Sequence, residues 1–530
     1  MKSRTYNDYD KFFTWLFDKP VFMVYETDIP LKNNKYSNED AIIYYPLEIE
    51  KILKTQAMSR MGKILQLGTK IYNIPKVHHT RLEHSKGTYF RSLNTIMTLC
   101  ENEAWKNVFE KNDNKKWLIA KIVNDLLHDI GHGPFSHTME AVCELPKGFH
   151  EDIGRRLILE NQELKDTLNS IYPNLNELIL EFQEKNPFGL ASTSEGQIDV
   201  DRGDFLPRDE YFLNISDKNK SIEDVDCFFD NYTMEIVTES NGNKLIRPIY
   251  KQENLENILR FLENRFYNYK NFYYNVNCQK YDYVMKSFAE RLLQSKEKSK
   301  LKRFLENNVR STPQRVNLDE YIEWTDVSFL KAIADTIKST DDEILKKLGL
   351  ICIPSTESVE SLLEGTYISK VQEEKTLSKA DIETIETLTD ISKFVDKRKQ
   401  NLESENLLIL SSTSKQDIKE CKEKIDSIIG IATEKEKENG VISWEDRIAA
   451  YKRKKGEEIY IRTNKGNAKE ITEFVSERHN IYAQNLLGLS ESINGLMIIL
   501  PILNEKNKEI LPQIKNVMEE YNVKNSDIQK

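Results

Sequence analysis

The chain lacks several features that would place it in well-defined classes. Its six cysteines (Cys100, Cys143, Cys227, Cys278, Cys352, Cys421) are far apart with no Cys-x-x-Cys pair, which excludes a zinc knuckle or redox dithiol and reads as buried thiols. No apolar stretch approaches the length of a membrane span, and Met1 to Lys19 mixes charges with aromatics, so the expected setting is cytoplasmic, with no membrane partner. Basic residues are not in excess: Lys+Arg 76 against Asp+Glu 86 gives a net charge of -10. That balance argues against a surface built for nonspecific nucleic-acid binding, local basic patches aside. No internal repeat is visible. At 530 residues the length allows roughly two to four domains.

Helical periodicity is abundant. Residues 1–45 are aromatic and polar without a clear period and read as an irregular N-terminal arm. From Ile49 onward Ile52, Leu53, Met58, Met61, Ile64 and Leu65 recur at helical spacings, and Gly68 ends the helix. Trp117 to Leu127 is nearly all apolar and predicts a buried helix, stopped by Gly131, Gly133 and Pro134. Further helical patterns cover 151–183, 252–295 and 317–349, with a short strand at Lys244 to Ile249. Beyond residue 355, Val371 to Lys399 and Lys415 to Glu438 read as solvent-facing or partner-binding helices. Glu458 to Thr463 alternates as a strand, followed by a polar turn through Asn464 to Asn467. The predicted class is mainly α, with residues 46–350 as one domain and 351–530 as a small α+β C-terminal lobe for regulation or oligomerisation.

Against this background one concentration stands out. Seven of the eight histidines lie between His78 and His150, including the run His128-Asp129-Ile130-Gly131-His132-Gly133-Pro134-Phe135-Ser136-His137. Imidazole is both a common metal ligand and the usual acid/base near neutrality. A His-Asp pair alone is weak. Here Arg81-Leu82-Glu83-His84-Ser85 adds a histidine with an arginine one turn earlier on the same helix face, and Gln197-Ile198-Asp199-Val200-Asp201-Arg202 adds a later aspartate with a cation beside it. His137 and Glu140 are three apart, so on a helix the carboxylate can orient the imidazole. His78, His79 and His479 fit no pattern and are read as solvated.

The order His, His-Asp, Asp resembles the HD superfamily of metal-dependent phosphohydrolases. The finer set, Gln66-Leu67-Gly68, Arg81 to Ser85, His128 to His137, Phe149-His150-Glu151, Ile198 to Arg202 and Arg208-Asp209, is similar to the deoxynucleoside triphosphate triphosphohydrolases (dNTPases), a vertebrate antiviral branch included. A fainter echo runs through Tyr274-Asn275 and Trp324 to Leu330. The resemblance spans about residues 48–350 and implies an HD-domain helical bundle there.

That resemblance implies a divalent metal (Mg, Mn, Fe, Ni or Zn) held by His84, His128, Asp129 and Asp201, with a second metal arriving on the substrate phosphates. It implies attack of water on the α-phosphorus of a dNTP and departure of triphosphate. His137 becomes the general acid with Glu140 as its orienter, and His132 and His150 contact the phosphates or support the acid. Arg81 and Arg202 become phosphate clamps, Arg202 standing where the family usually has Lys. Gln66, Leu67 and Asp209 read the sugar, Phe205 replaces the usual stacking Tyr, and Tyr274 and Asn275 touch base or sugar. It further implies a homo-oligomer regulated by a nucleotide activator or inhibitor, although Lys54 and Gly62 replace the guanine contacts of the vertebrate branch. Antiphage defence is the expected role, and housekeeping of dNTP pools the alternative. Lys452 to Lys455 and the lysines from Lys296 to Arg303 are read as solvated faces.

Two other classes stay open. One is an HD hydrolase of monophosphates, cyclic nucleotides or single-stranded nucleic acid. The other is a nucleotide-sensing interaction protein with a vestigial site.

Overall fold

The apolar stretch ending at Leu127 forms the helix Lys115–Leu127, buried throughout from Leu118. It packs on the helix Arg81–Cys100, itself buried on almost every face beyond His84. Helices buried on nearly every face belong at the centre of a bundle, and these two form its axis. A third, Val200–Phe212, crosses the 81–100 helix at Gly87, where a Cβ would lie 1.9 Å from Asp204 Oδ1. That glycine sets the close approach that brings Asp201 beside His84.

The structure is a computed structural model and describes all residues except 1–3, 33–39, 112, 195, 214–217, 239–243, 369–378, 398–406, 413, 430–440, 452–457, 464–465, 501–509 and 525–530. The fold is mainly α, as the periodicity predicts. The 151–183 pattern resolves into Phe149–Glu160, Gln162–Ile171 and Leu175–Lys185. The 252–295 pattern becomes Leu255–Asn268 and Val276–Gln294, joined by a π-helical turn, Tyr269–Tyr273. The third pattern becomes Leu318–Ile322, Asp326–Ser339 and Glu343–Cys352. Among the described residues no helix is long and apolar enough to cross a membrane.

Three expectations need correction. The N-terminal arm is not irregular: Tyr6–Phe17 is a helix that buries Tyr9, Phe12, Phe13 and Leu16, a spacing of three, one and three that gives one apolar face. It is followed by the antiparallel pair β1 (Met23–Lys32) and β2 (Asp40–Pro46). The predicted helix from Ile49 to Gly68 breaks at Thr55, whose hydroxyl caps a second short helix, Gln56–Ser59, so the chain turns instead of continuing. His79 is fully buried and His78 partly so; of the three histidines read as solvated, only His479 is exposed.

The expected strand at Lys244 is present as β4 (Lys244–Lys251), paired with β3 (Tyr232–Thr238). In the C-terminal part, β5 (Leu407–Ser412), β6 (Val441–Ala449) and β9 (Ser490–Ile499) form a sheet of order β5-β9-β6. The helix Lys415–Ile429 and the helix Leu511–Lys524 bury Ile418, Cys421, Ile425, Ile514 and Met518 against it. The predicted strand at 458–463 is β7 (Tyr460–Arg462), but it pairs in parallel with β4 and antiparallel with β8 (Ala468–Glu470), in a sheet of order β3-β4-β7-β8 that crosses the boundary at residue 350. Much of Val371 to Lys399 and of Lys415 to Glu438 matches helices, Lys379–Asp396 and Lys415–Ile429, while the basic run from Lys452 lies outside the described residues.

Candidate active site

The metal-ligand candidates come from three helix ends. Thr80 and Glu83 form a capping box that fixes the start of the 81–100 helix, placing His84 in its first turn. His128 and Asp129 follow the last turn of the 115–127 helix. Asp199 caps the 200–212 helix by accepting from Arg202 N (2.7 Å), and Asp201 projects from its first turn.

Four candidate ligands converge. His84 Nε2 lies 3.1 Å from His128 Nε2, 3.0 Å from Asp201 Oδ1 and 3.5 Å from Asp129 Oδ2. His128 Nε2 is 3.4 Å from Asp129 Oδ2 and 3.5 Å from Asp201 Oδ1. His84, His128 and Asp201 form the tightest group; Asp129 reaches both imidazoles while its Oδ2 is also bonded by Arg81 Nη1 at 2.5 Å. The far side of each ring is fixed. His84 Nδ1 donates to Asp204 Oδ2 (2.8 Å) and His128 Nδ1 to the Asp125 carbonyl (2.9 Å), so in the neutral rings both Nε2 lone pairs point inward.

Two lone pairs and two carboxylates around one point demand positive charge there. Burial opposes charge on His128, yet Asp129 and the Asp201 bond raise its pKa to about 10. Burial likewise opposes ionisation of Asp201, and its bonds to His128 and His84 prevail, lowering its pKa. The donor set, two imidazoles and two carboxylates with partners on their outer sides, fits a divalent ion.

Next to this group lies a proton-transfer cluster. His137 Nδ1 is 3.2 Å from Glu140 Oε2, and His150 Nδ1 bonds the other oxygen, Oε1. Burial would protonate Glu140, but the two imidazoles hold its pKa far below the ordinary range. His137 is 65% exposed, so it can meet a bound molecule. His132 stacks on His150 at 4.0 Å and is 3.3 Å from Asp129 Oδ1; burial and then Arg81 hold it well below its ordinary pKa, hence neutral.

Both groups border a cavity of about 470 Å³ lined by Gln66, Leu67, Arg81, Asp129, His132, His137, His150, Asp201, Arg202, Phe205, Asp209 and Tyr274 among the expected residues. Arg81 also donates from Nε to Ser136 Oγ (2.9 Å). Arg202 Nη1 pairs with Asp199 Oδ2 and donates to the Gly196 carbonyl (2.6 Å). Asn275 is not in the lining. Its side chain caps the 276–294 helix by accepting from Asn277 N (2.9 Å).

Sequence reasoning missed several residues. Asp209 receives His79 Nε2 on one oxygen (2.7 Å) and the Tyr273 hydroxyl on the other (2.6 Å), and His79 stacks on Phe212 at 4.4 Å. Tyr269 and Tyr273 line the cavity from the π-helical turn. Asp204, buried between His84 and Arg208, was also missed, although it follows Asp201 by one helical turn, a signal the spacing carried. Lys70, Thr138, Gln279 and Asp282 line the cavity too.

No family model matches the chain. It is similar to an uncharacterized protein, YwfO, of Bacillus subtilis, 33% identical over 170 residues, covering 31% of this chain and 36% of that one. A putative HD domain-containing protein of Acanthamoeba polyphaga mimivirus is 33% identical over 183 residues, covering 31% and 40%. A Dictyostelium discoideum protein named a deoxynucleoside triphosphate triphosphohydrolase SAMHD1 homolog is 25% identical over 203 residues, covering 34% and 38%. The chain thus matches these relatives over well under half of their own length.

A crystal structure of a phosphohydrolase from Bacteroides thetaiotaomicron superposes with a TM-score of 0.59 at 19% identity, over 90% of this chain and 100% of that one. At that identity the likeness shows a shared fold. The motif resemblance therefore holds: the chain is similar at moderate identity to HD-domain proteins, proteins named dNTPases among them.

Proposed function

We propose that this protein is a metal-dependent hydrolase that cleaves dNTPs to deoxynucleoside and inorganic triphosphate. The observation that carries the proposal is that the His84, His128, Asp129 and Asp201 donor group, through Asp129 and Asp201, and the His137–Glu140–His150 cluster, through His137 and His150, reach one cavity. A divalent ion held by those four residues would polarise a phosphoryl oxygen and make water a stronger nucleophile near neutral pH. His137, oriented by Glu140, gives its proton to the departing 5′ oxygen, and His150 keeps Glu140 in place. His132, neutral, contacts phosphate oxygens from the cavity wall.

Arg81 and Arg202 draw the phosphates, Arg81 from a position locked by Ser136 and Asp129, and Arg202 from one locked by Asp199. Asp209 accepts the sugar 3′ hydroxyl through lone pairs left over after its bonds to His79 and Tyr273. Gln66, Leu67 and Phe205 close the wall where a ribose 2′ hydroxyl would stand, and Tyr274 borders the sugar or base. The substrate phosphates would bring a second divalent ion with them. Since dNTP depletion halts any replication, the host's included, activity is held in check by a nucleotide acting on a homo-oligomer and released in antiphage defence.

The test is to incubate purified protein with each dNTP, singly and mixed, with Mg or Mn, and resolve the products. Deoxynucleoside with triphosphate supports the reading; orthophosphate, a ring-opened nucleotide or shortened oligonucleotides as the sole activity would support another HD chemistry. His128→Ala with Asp129→Ala should abolish turnover in a folded protein.

A further inference from the structure

The motif Trp324 to Leu330 has no part in the chemistry above. Its Asp326 is nonetheless fully buried and accepts from two separate loops: Leu65 N–H on Oδ2 at 2.8 Å and Phe135 N–H on Oδ1 at 2.5 Å. Leu65 immediately precedes Gln66, and Phe135 stands two residues before His137. One carboxylate therefore joins the loop that carries Gln66 to the loop that launches the His137–Val142 helix.

The second loop needs a hold. Phe135 and Ser136 have φ of 56° and 55°, in the left-handed region that side-chain-bearing residues disfavour. Left free, that turn would relax toward negative φ and rotate the start of the helix that bears His137 and Glu140. Asp326 grips it at Phe135 N, and Ser136 Oγ completes the stitch by donating to the Leu65 carbonyl at 2.6 Å. The anchor itself is firm. Asp326 is the first residue of the 326–339 helix, capped by Thr325, whose amide donates to Ser328 Oγ at 2.8 Å, and Trp324 stacks on Phe304 at 4.3 Å.

We infer that Asp326 is a positioning residue that sets His137 and Gln66 in register with each other across the cavity. The inference rests on the reading of His137 as the proton donor. It acts through two backbone amides, so Asp326 touches neither substrate nor metal ligand.

Asp326→Asn keeps the size but turns one acceptor into a donor facing a backbone N–H, breaking one of the two bonds. With dNTP as substrate, kcat should fall about 100-fold, the loss expected when a reacting group moves by about 1 Å. Bound metal should stay at the wild-type level. In a His137→Ala background the same change should add little further loss in kcat, because its route of action is gone. A second readout needs no substrate: in histidine-labelled protein the imidazole NMR signals of His137 and His150 should shift in Asp326→Asn while that of His479 stays. Thr325→Val, which uncaps the helix and leaves the carboxylate, should shift the same two signals less and serves if Asp326→Asn does not fold. Unchanged His137 and His150 signals, or fully additive losses in the double variant, would overturn the inference. Absence of dNTP turnover in the wild type would count against the hydrolase reading, and the imidazole signals would still decide this one.

Discussion

His84 Nε2 and His128 Nε2 face each other at 3.1 Å, each with its Nδ1 committed to an acceptor on the other side of the ring. Two inward lone pairs at that distance repel unless a proton or a metal ion lies between them, and Asp201 and Asp129 supply negative charge that favours either. Metal should therefore stabilise the fold. A ligand at 100 times its Kd adds about 2.7 kcal/mol, so thermal melts should shift upward with Mn or Mg and downward after chelation. In His128→Ala that shift should vanish, and an undiminished shift would remove the assignment.

Asp209 depends on His79 for one of its two hydrogen bonds. His79→Ala leaves a buried carboxylate short of a donor, a loss of about 1.5–3 kcal/mol for a bond to a charged group. Steady-state kinetics should show kcat/KM for dNTPs lower by roughly tenfold to 100-fold. Wild-type protein should also prefer dNTPs over NTPs, and Phe205→Ala should narrow that preference. An equal kcat/KM for dNTP and NTP in the wild type would contradict the sugar-reading assignment.

Gly87→Ala tests the helix crossing. A Cβ there meets Asp204 Oδ1 at 1.9 Å and Arg208 Nη2 at 2.3 Å, so the buried Asp204–Arg208 pair, or the 200–212 helix that carries it, must give way. Overpacking of this kind costs about 1–3 kcal/mol. Denaturant unfolding should show that loss, and metal affinity should fall with it because His84 and Asp201 sit on the two helices. A variant with wild-type metal affinity would show that the crossing does not set the site.

Asp326 gives a pH signature. Burial raises its pKa to about 7, against the pull of its bonds to Phe135 N and Leu65 N. A carboxyl raised in the folded state takes up its proton on folding, so its contribution is full below the ordinary carboxylate range and is lost as pH rises through about 7. Melting curves of wild type and Asp326→Asn should diverge across that window, with wild type losing more stability on going from acid to neutral pH. Parallel curves would contradict the shift.

How much of this was legible depends on whether neighbours in space were near in sequence or belonged to a motif. His84, His128, Asp129 and Asp201 were readable because each lies in a dense local pattern, and His137 and Glu140 because one helical turn joins them. His79 was not, since its partner Asp209 is 130 residues away and the adjacent His78 gave no pattern. Tyr273, which bonds Asp209, lies in a π-helical turn that no periodicity in the sequence marks, while the expected Tyr274 lines the cavity beside it. Strand β6 carries Glu445, Asp446 and Arg447 in succession, which hides any alternation, and the parallel pairing of β7 with β4 joins residues about 200 apart.

The central claim is attack of water at the α-phosphorus with the 5′ oxygen as leaving group, releasing triphosphate. It is tested most directly by running the reaction in heavy-oxygen water with a dNTP and Mg or Mn, then weighing both products by mass spectrometry. The account predicts triphosphate carrying one heavy oxygen and an unlabelled deoxynucleoside. Label in the deoxynucleoside, or labelled orthophosphate or pyrophosphate in place of triphosphate, would contradict it.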